Sequence, residues 1–403
     1  MPERRLAVRV TKDVLRQIRG GHPWVYDKAI TSVSDEAAAP GTLAVIFDDK
    51  RRFAAIGLWD PISPIRVRIL HAGKPTQIDD AFWAGRIEDA LATRSPLEAT
   101  GTTGMRLIHG ENDGFGGLVV DRYDRTLVLK LYASTWLPHL NQVVDSLVTA
   151  VAPERIVLRL GRNAARDSAV VAAGLTDGQA LVGDVPSAPI LFIENGLTFE
   201  ADVIEGQKTG HFLDQRDNRQ FVRSVAEGRR VLDVFSCTGG FSVYAAAGGA
   251  TLVHSVDIAP AAIETAQRNF AHNSNVVAGA EHRRSVGDAF EVMTELGEAG
   301  ERYDIVVIDP PSFASRARER DGAMRAYRKL SELALPLVAP GGRLLQASCS
   351  SRITEDDLHH VVHSALRSNG RTVSEEQWFG HALDHPISFP EGLYLKAMTG
   401  LLA

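Results

Sequence analysis

Short apolar runs separated by turn clusters open the chain. Leu6–Val10, Thr42–Phe47, Ala54–Leu58 and Ile65–Leu70 are rich in apolar and β-branched residues, and Gly20-Gly21-His22-Pro23, Asp48-Asp49-Lys50 and Asp60-Pro61 separate them. That rhythm predicts a small β-barrel or sandwich over residues 1–75. Trp24, Tyr26 and Trp59 are expected to pack in its core or rim rather than to stack on RNA. From 76 to 200 the pattern mixes periods. Phe82–Arg94 reads as helix, and strands are predicted near Met105–His109, Gly117–Val120 and Leu127–Tyr132. Leu137, Leu140, Val144, Leu147, Val148 and Val151 recur at helical spacing, and strands near Arg155–Leu160 and Ile190–Ile193 follow. The order strand, strand, helix, strand, strand predicts a compact central α+β domain, in which no chemical motif is visible.

Residues 201–403 alternate strand and helix. Val231–Phe235, Leu252–Asp257, Asp304–Asp309 and Gly342–Cys349 read as buried strands. Gly240–Ala247, Pro260–Asn273 and a segment around Arg318–Leu335 read as the helices between them. This alternation predicts a doubly wound, Rossmann-like parallel sheet, whose ligands gather at the carboxyl ends of the strands. Residues 275–300 are weakly patterned and read as loop-rich.

Composition narrows the class. The 403 residues are 44% hydrophobic and 23% charged, which excludes a largely disordered chain. No apolar run approaches the ~20 residues of a membrane helix, and no apolar signal core follows Arg4 and Arg5, so a cytoplasmic protein is expected. Cys237 and Cys349 are the only cysteines, too few for a disulfide framework or a cysteine-pair zinc site, and no metal is expected. Net charge is −6, yet residues 1–75 hold 13 Lys and Arg against 8 Asp and Glu. Such asymmetry fits an anionic partner for the basic segment and fits scatter equally well.

The candidate chemistry lies at the strand ends. The first ends Asp233-Val234-Phe235-Ser236-Cys237-Thr238-Gly239-Gly240, a glycine turn that lacks the G-x-G-x-x-G of dinucleotide sites. A carboxylate at Asp233 would repel a pyrophosphate and attract the amino group of a methionine moiety, which favours S-adenosylmethionine over NAD. Asp257, 24 residues on, with Ile258 after it, stands where a ribose-hydroxyl acceptor is expected. Asp288, followed by Ala289, is a candidate acceptor for the adenine amino group. Each acid alone is more often a helix cap or turn residue; together with Phe235, Ser236, Thr238 and Gly239 in the turn they point to a cofactor site.

The fourth strand ends Asp309-Pro310-Pro311-Ser312-Phe313 and the fifth Ser348-Cys349-Ser350-Ser351. Cytosine C5 is a poor nucleophile until a thiolate adds at C6, so Cys349 is a candidate nucleophile and Asp309 a candidate acid to polarise the base. An exocyclic-amine methylase would carry an aromatic residue directly after the two prolines, where this chain has Ser312. Cys237 is expected to pack beside the ligand. Arg316, Arg318, Arg320, Arg325, Arg328 and Lys329 fit phosphate contacts or a solvated helix face paired with Glu319 and Glu332.

These residues carry a family resemblance. Gln207-Lys208-Thr209-Gly210-His211-Phe212-Leu213-Asp214-Gln215-Arg216, the Asp233–Phe241 and Asp309–Phe313 segments, Ser348-Cys349-Ser350, Asp384-His385-Pro386 and Tyr394-Leu395-Lys396 resemble bacterial and archaeal methyltransferases of 23S ribosomal RNA. Gly21-His22-Pro23-Trp24-Val25 resembles the PUA-type RNA-binding domain that heads that family. The resemblance implies an α/β protein of three parts: a PUA β-barrel (1–75), a central α+β domain (76–200) and a Rossmann-like, seven-stranded methyltransferase domain (201–403). It further implies an RNA cytosine-5 methyltransferase using S-adenosylmethionine, with 23S ribosomal RNA or a large-subunit precursor as partner and no membrane. Cys349 matches the family's nucleophile and Asp309 its partner acid. Asp233, Asp257 and Asp288 match the cofactor acids, and Thr209, Gly210 and Arg216 fall in a segment expected to close over the cofactor. Many relatives carry a second cysteine where this chain has Ser312, so the base that removes the C5 proton is unassigned. A monomer and a homodimer both stay open, as does the rival of N-methylation on a purine or a non-catalytic assembly role.

Overall fold

The computed structural model describes residues 5–314 and 316–403; Met1–Arg4, and with them the Arg4 named above, and Ser315 lie outside the described residues. The chain forms two compact units. One comprises the chain through Glu194 together with Ala201–His211 and Asp384–Gly392, and the other comprises Asn195–Glu200, Phe212–Leu383 and Leu393–Ala403.

The first unit contains a six-stranded sheet in the order Trp24–Tyr26, Ile65–Ala72, Phe53–Trp59, Leu43–Phe47, Leu6–Val10, Ile30–Val33. Leu6–Val10 and Leu43–Phe47 pair in parallel and the other neighbours antiparallel. Leu6–Val10 alternates buried and exposed residues, Leu43–Phe47 and Phe53–Trp59 are buried almost throughout, and Val8, Ile46, Ala55 and Val67 meet in the core. A helix over Lys12–Arg19 sits where no element is predicted; only Leu15 and Ile18 of its eight residues are buried, too few to show a helical period. Trp59 is buried and Tyr26 exposed, a core and a rim position as expected.

The same unit holds a five-stranded sheet in the order Ala180–Val182, Arg155–Leu160, Thr126–Leu131, Leu118–Tyr123, Gly104–His109. Helices Asp80–Glu98 and Leu140–Val151 supply Trp83, Ile87, Val143 and Leu147 to its core. Buried polar groups here are heavily paired. Arg94, wholly buried, grips Asp113 with both guanidinium arms at 2.6 and 2.9 Å and donates to the Asp384 carbonyl at 3.1 Å. Asp384 in turn accepts the Arg106 amide at 2.8 Å.

The second unit is the predicted parallel sheet. Its strands are β1 (Arg230–Val234), β2 (Leu252–Asp257), β3 (Glu281–Val286), β4 (Tyr303–Ile308), β5 (Val338–Ser348), β6 (Val373–Phe379) and β7 (Lys396–Leu402), ordered β3-β2-β1-β4-β5-β7-β6. All pairs from β3 to β5 are parallel, and β7 enters antiparallel between β5 and β6. Besides the one-turn helix Ser274–Val277, the α-helices are α1 (Arg216–Val225), α2 (Gly240–Ala247), α3 (Pro260–His272), α4 (Ala289–Glu298), α5 (Arg320–Ala334) and α6 (Glu355–Ser368). Strand order reverses between β1 and β4, the topological switch where α/β sheets bind ligands. The loop reading of 275–300 is corrected: β3 and α4 lie there. As an edge strand with one neighbour, β3 (Glu-His-Arg-Arg-Ser-Val) is half-exposed and charged, which erased its apolar signature.

Candidate active site

The turn after β1 is built on unusual backbone. Phe235, Cys237 and Gly239 have φ of 64°, 47° and 77°. Left-handed conformations at two non-glycine residues cost energy and persist where packing over-determines them, a common property of ligand-binding turns. Gly239 is required twice over: its φ is positive, and a Cβ there would lie 2.8 Å from the Ala266 Cβ on α3. The Cys237 amide donates to Asp257 Oδ2 at 2.9 Å, the Ala259 amide to Asp257 Oδ1 at 2.9 Å, and the Asn269 side chain to the Thr238 carbonyl at 2.8 Å. Burial pushes the Cys237 thiol up to about 11, so it is held as a neutral packing group.

Asp233 is wholly buried at the end of β1. Its Oδ2 accepts from Ser242 at 2.6 Å, while Oδ1 has no hydrogen-bond partner. Burial raises its pKa to about 7 against the lowering effect of the Ser242 bond. The Ser236 hydroxyl is likewise buried without a partner. Buried polar atoms are nearly always satisfied, so an orphaned carboxylate oxygen and hydroxyl beside a strained glycine turn fit a ligand that brings a cation and further polar atoms. The amino acid end of S-adenosylmethionine is such a ligand. Ser242, which the sequence reading missed, orients the acid and in turn contacts Ser255 at 2.7 Å. A small polar residue nine positions after the acid was the only signal for it.

Two further pairs of candidates lie at or just past the ends of the next two strands along the same edge. Ile258 is 68% exposed, an apolar surface beside Asp257. Asp288 is the N-cap of α4, accepting from Phe290 at 2.9 Å and Glu291 at 3.3 Å through one oxygen, with Ala289 buried behind it. The cap reading of this acid is therefore true, and Oδ2 is the atom outside the cap. Arg216, the first residue of α1, is wholly buried in the same unit. Thr209 and Gly210 belong to the other unit. There the Thr209 hydroxyl donates to Asp121 and contacts Tyr123 OH at 3.1 Å, and Gly210 has φ 134°.

Asp309 follows β4, its amide directed at the Val234 carbonyl of β1 at 3.3 Å. Gln215 donates Nε2 to Asp309 Oδ1 at 2.8 Å, and Asn218 donates to Gln215 Oε1. Gln215 lay inside the quoted motif without a role. Cys349, directly after β5 and half-buried, points its Sγ at the Pro310 carbonyl, 3.7 Å away. Nucleophile candidate and acid candidate thus meet across one residue. The loop carrying the thiol is pinned from behind. Ser350 donates to the Ala314 carbonyl at 2.7 Å, and buried Lys396 donates to the Ser350 carbonyl at 2.6 Å and to the Ile353 carbonyl. Burial pulls the Lys396 ammonium down to about 8, opposed by the nearby Cys349. Phe313 packs edge-on against Tyr327 at 5.1 Å, committed to the core. Of the basic run on α5, Arg328 pairs with Glu332 of the same helix at 2.9 Å and Arg320 with Asp357 of α6.

The cofactor class follows from comparison with known proteins. Residues 178–391 match the model of the S-adenosylmethionine-dependent methyltransferase family, and residues 8–72 that of the PUA-like domain. The chain belongs to this PUA-headed family of S-adenosylmethionine-dependent methyltransferases. It is 49% identical to a ribosomal RNA large subunit methyltransferase of Deinococcus radiodurans over 98% of this chain and 97% of that one. It is 34% identical to ribosomal RNA large subunit methyltransferase I of Shewanella frigidimarina over 95% and 96%. In fold it is similar to a candidate SAM-dependent methyltransferase from Streptococcus mutans, with a TM-score of 0.81 at 21% identity over 98% of this chain and 99% of that one. The expected class holds: an α/β protein with a PUA-like N-terminal domain, a central α+β region and a seven-stranded Rossmann-like methyltransferase sheet. Among the described residues no helix is long and apolar enough to cross a membrane.

Proposed function

We propose that this family member methylates C5 of a cytosine in 23S ribosomal RNA, free or in a large-subunit precursor, in the cytoplasm and through a covalent bond to Cys349. The observation that carries the reading is the approach of Cys349 Sγ to the Pro310 carbonyl, beside Asp309. The names of the relatives supply the RNA. Residues 1–75 are assigned to holding RNA, 76–200 to spacing and 201–403 to chemistry.

Asp233 and Ser236 would take the amino acid end of the cofactor, Asp257 the ribose, and Ile258, Asp288 and Ala289 the adenine. The Phe235–Gly239 turn would give the close backbone approach, and Thr209, Gly210 and Arg216 would close over the cofactor. Bound there, S-adenosylmethionine supplies a methyl group made electrophilic by its sulfonium. The Cys349 thiolate forms a bond to C6 of the cytosine. The C5–C6 π electrons then reside on C5 as an enamine, and Asp309, donating its carboxyl proton to N3 and accepting from the N4 amine, would stabilise the charge that passes onto the ring. After C5 is methylated, its proton passes to a water molecule, the double bond is restored and Cys349 leaves as thiolate. Phe313, turned into the core on Tyr327, is not placed as a stacking platform, which weighs against exocyclic-amine chemistry.

The experiment is tritiated S-adenosylmethionine with 23S RNA and the full chain. Wild type is expected to transfer label to cytosine C5 and Cys349→Ala to transfer none. Transfer by Cys349→Ala at the wild-type rate overturns the covalent mechanism, and label recovered in an N-methylated purine overturns the substrate atom.

A further inference from the structure

The outer edge of the seven-stranded sheet carries a cluster that methyl transfer does not use. On α6, His359 and His363 stand four residues apart and therefore share one helix face. Their rings stack with centroids 4.0 Å apart. Facing them is Glu376 of edge strand β6. His363 Nε2 lies 2.8 Å from Glu376 Oε2, and His359 Nε2 lies 3.7 Å from Glu376 Oε1.

Glu376 reaches the helix because β6 is bulged. Ser374 pairs with Leu401 and Gln377 with Thr399, so Glu375 and Glu376 together oppose Gly400. Glu375 has φ 50°, and Gly400 leaves no room for a Cβ, which would meet Val373 Cγ2 at 2.3 Å. The bulge sends the two acids apart: Glu375 pairs with Arg343 at 3.1 Å, and Glu376 turns to the histidines. Bulges commonly re-aim a side chain in this way. The Trp378 indole then donates to Glu376 Oε1 at 3.0 Å.

We propose that His359, His363 and Glu376 form a site for a transition-metal dication of the zinc type, with its remaining position open to water. One ligand atom from each residue can be chosen so that all three lie within 4.8 Å of one another. In a tetrahedral zinc site with bonds of ~2.0–2.1 Å, neighbouring ligand atoms are separated by about 3.3 Å, so the three atoms, now within 4.8 Å of one another, would draw together on a bound ion. Two imidazoles and one carboxylate suit zinc, cobalt or nickel and not magnesium or calcium. The Trp378 bond supplies the outer-shell orientation that metal-binding carboxylates carry. An ion pair would need only His363. Stacking His359 upon it brings a second imidazole to the same carboxylate, which an ion pair does not require. The site would clip α6 to the exposed edge strand.

The test uses the chelator-stripped full chain and zinc chloride alone, followed by calorimetry and thermal melting. One equivalent is expected to bind and to raise the melting temperature by mass action. His359→Ala is expected to weaken binding by roughly tenfold or more while leaving the His363–Glu376 bond and the zinc-free melting temperature in place. Cobalt(II) is expected to give visible bands without a thiolate charge-transfer band. No saturable zinc binding by wild type overturns the proposal. So does unchanged affinity in His359→Ala, or a cobalt–thiolate band, which would move the metal to Cys237 or Cys349.

Discussion

Gln215 donates its side-chain amide to Asp309, 94 residues downstream, at 2.8 Å, and its own carbonyl is held by Asn218. The proposed base-polarising acid is therefore aimed by the residue just before α1, and the Pro310-Pro311 turn provides rigidity without side-chain donors.

Replacing Gln215 by Leu removes that donor at similar bulk. A side-chain hydrogen bond contributes about 0.5–1.5 kcal/mol, roughly a twofold to tenfold change in rate. Turnover is expected to fall by that factor with cofactor affinity unchanged. Steady-state kinetics beside calorimetry check it; equal losses in both would make the residue merely structural.

Asp233 should give cofactor binding a pH dependence. Its folded pKa, about 7, is raised above the ordinary 3.8 by burial. Without ligand, the protonated acid therefore stabilises the fold below about pH 4, and that contribution is lost as pH rises through 7. The ionised form is the one that attracts an ammonium group. S-adenosylmethionine affinity is expected to rise between pH 6 and pH 8, with at most a tenfold change per unit below the pKa. Asp233→Asn should bind weakly and without that slope. A flat wild-type profile across the interval would contradict the assignment.

Lys396 holds the Ser350 and Ile353 carbonyls directly behind the thiol. Lys396→Met keeps the packing and orphans both acceptors, at roughly 1–3 kcal/mol for each one left unsatisfied. A lower melting temperature and an altered rate of Cys349 alkylation by iodoacetamide are expected. The folded pKa near 8 lies below the ordinary 10.5, so the cost of burying the ammonium is present below pH 8 and fades as pH climbs to 10.5. Wild-type stability relative to the Met variant should rise across that range. Alkylation at the wild-type rate in the variant would show that the loop does not depend on the lysine.

Arg94 tests the first unit. Arg94→Met would strand Asp113, whose side chain is only 9% exposed, and remove the tie to the Asp384 carbonyl. Breaking a buried pair from one side costs about 3–5 kcal/mol. Urea denaturation is expected to show a loss of that size, and a change below about 1 kcal/mol would be inconsistent with the burial described.

The sequence by itself determined the alternation of strands and helices, and with it the parallel sheet. It also determined that Asp233, Asp257, Asp309 and Cys349 stand at carboxyl ends of strands. These are local properties, written in runs of apolar residues and the polar residue that ends each run. Elements with weak local signals were lost: the Lys12–Arg19 helix with two buried side chains, and the charged edge strand Glu281–Val286. Only the tertiary structure decided that Gln215 aims Asp309, that Lys396 backs the Cys349 loop, that Asp384 returns to Arg94 across 290 positions, and that a bulge turns Glu376 toward two histidines. Those contacts depend on strand order and register. No residue's neighbours in sequence report which strand will lie beside it, because long-range pairing is set by how all the apolar faces are buried together.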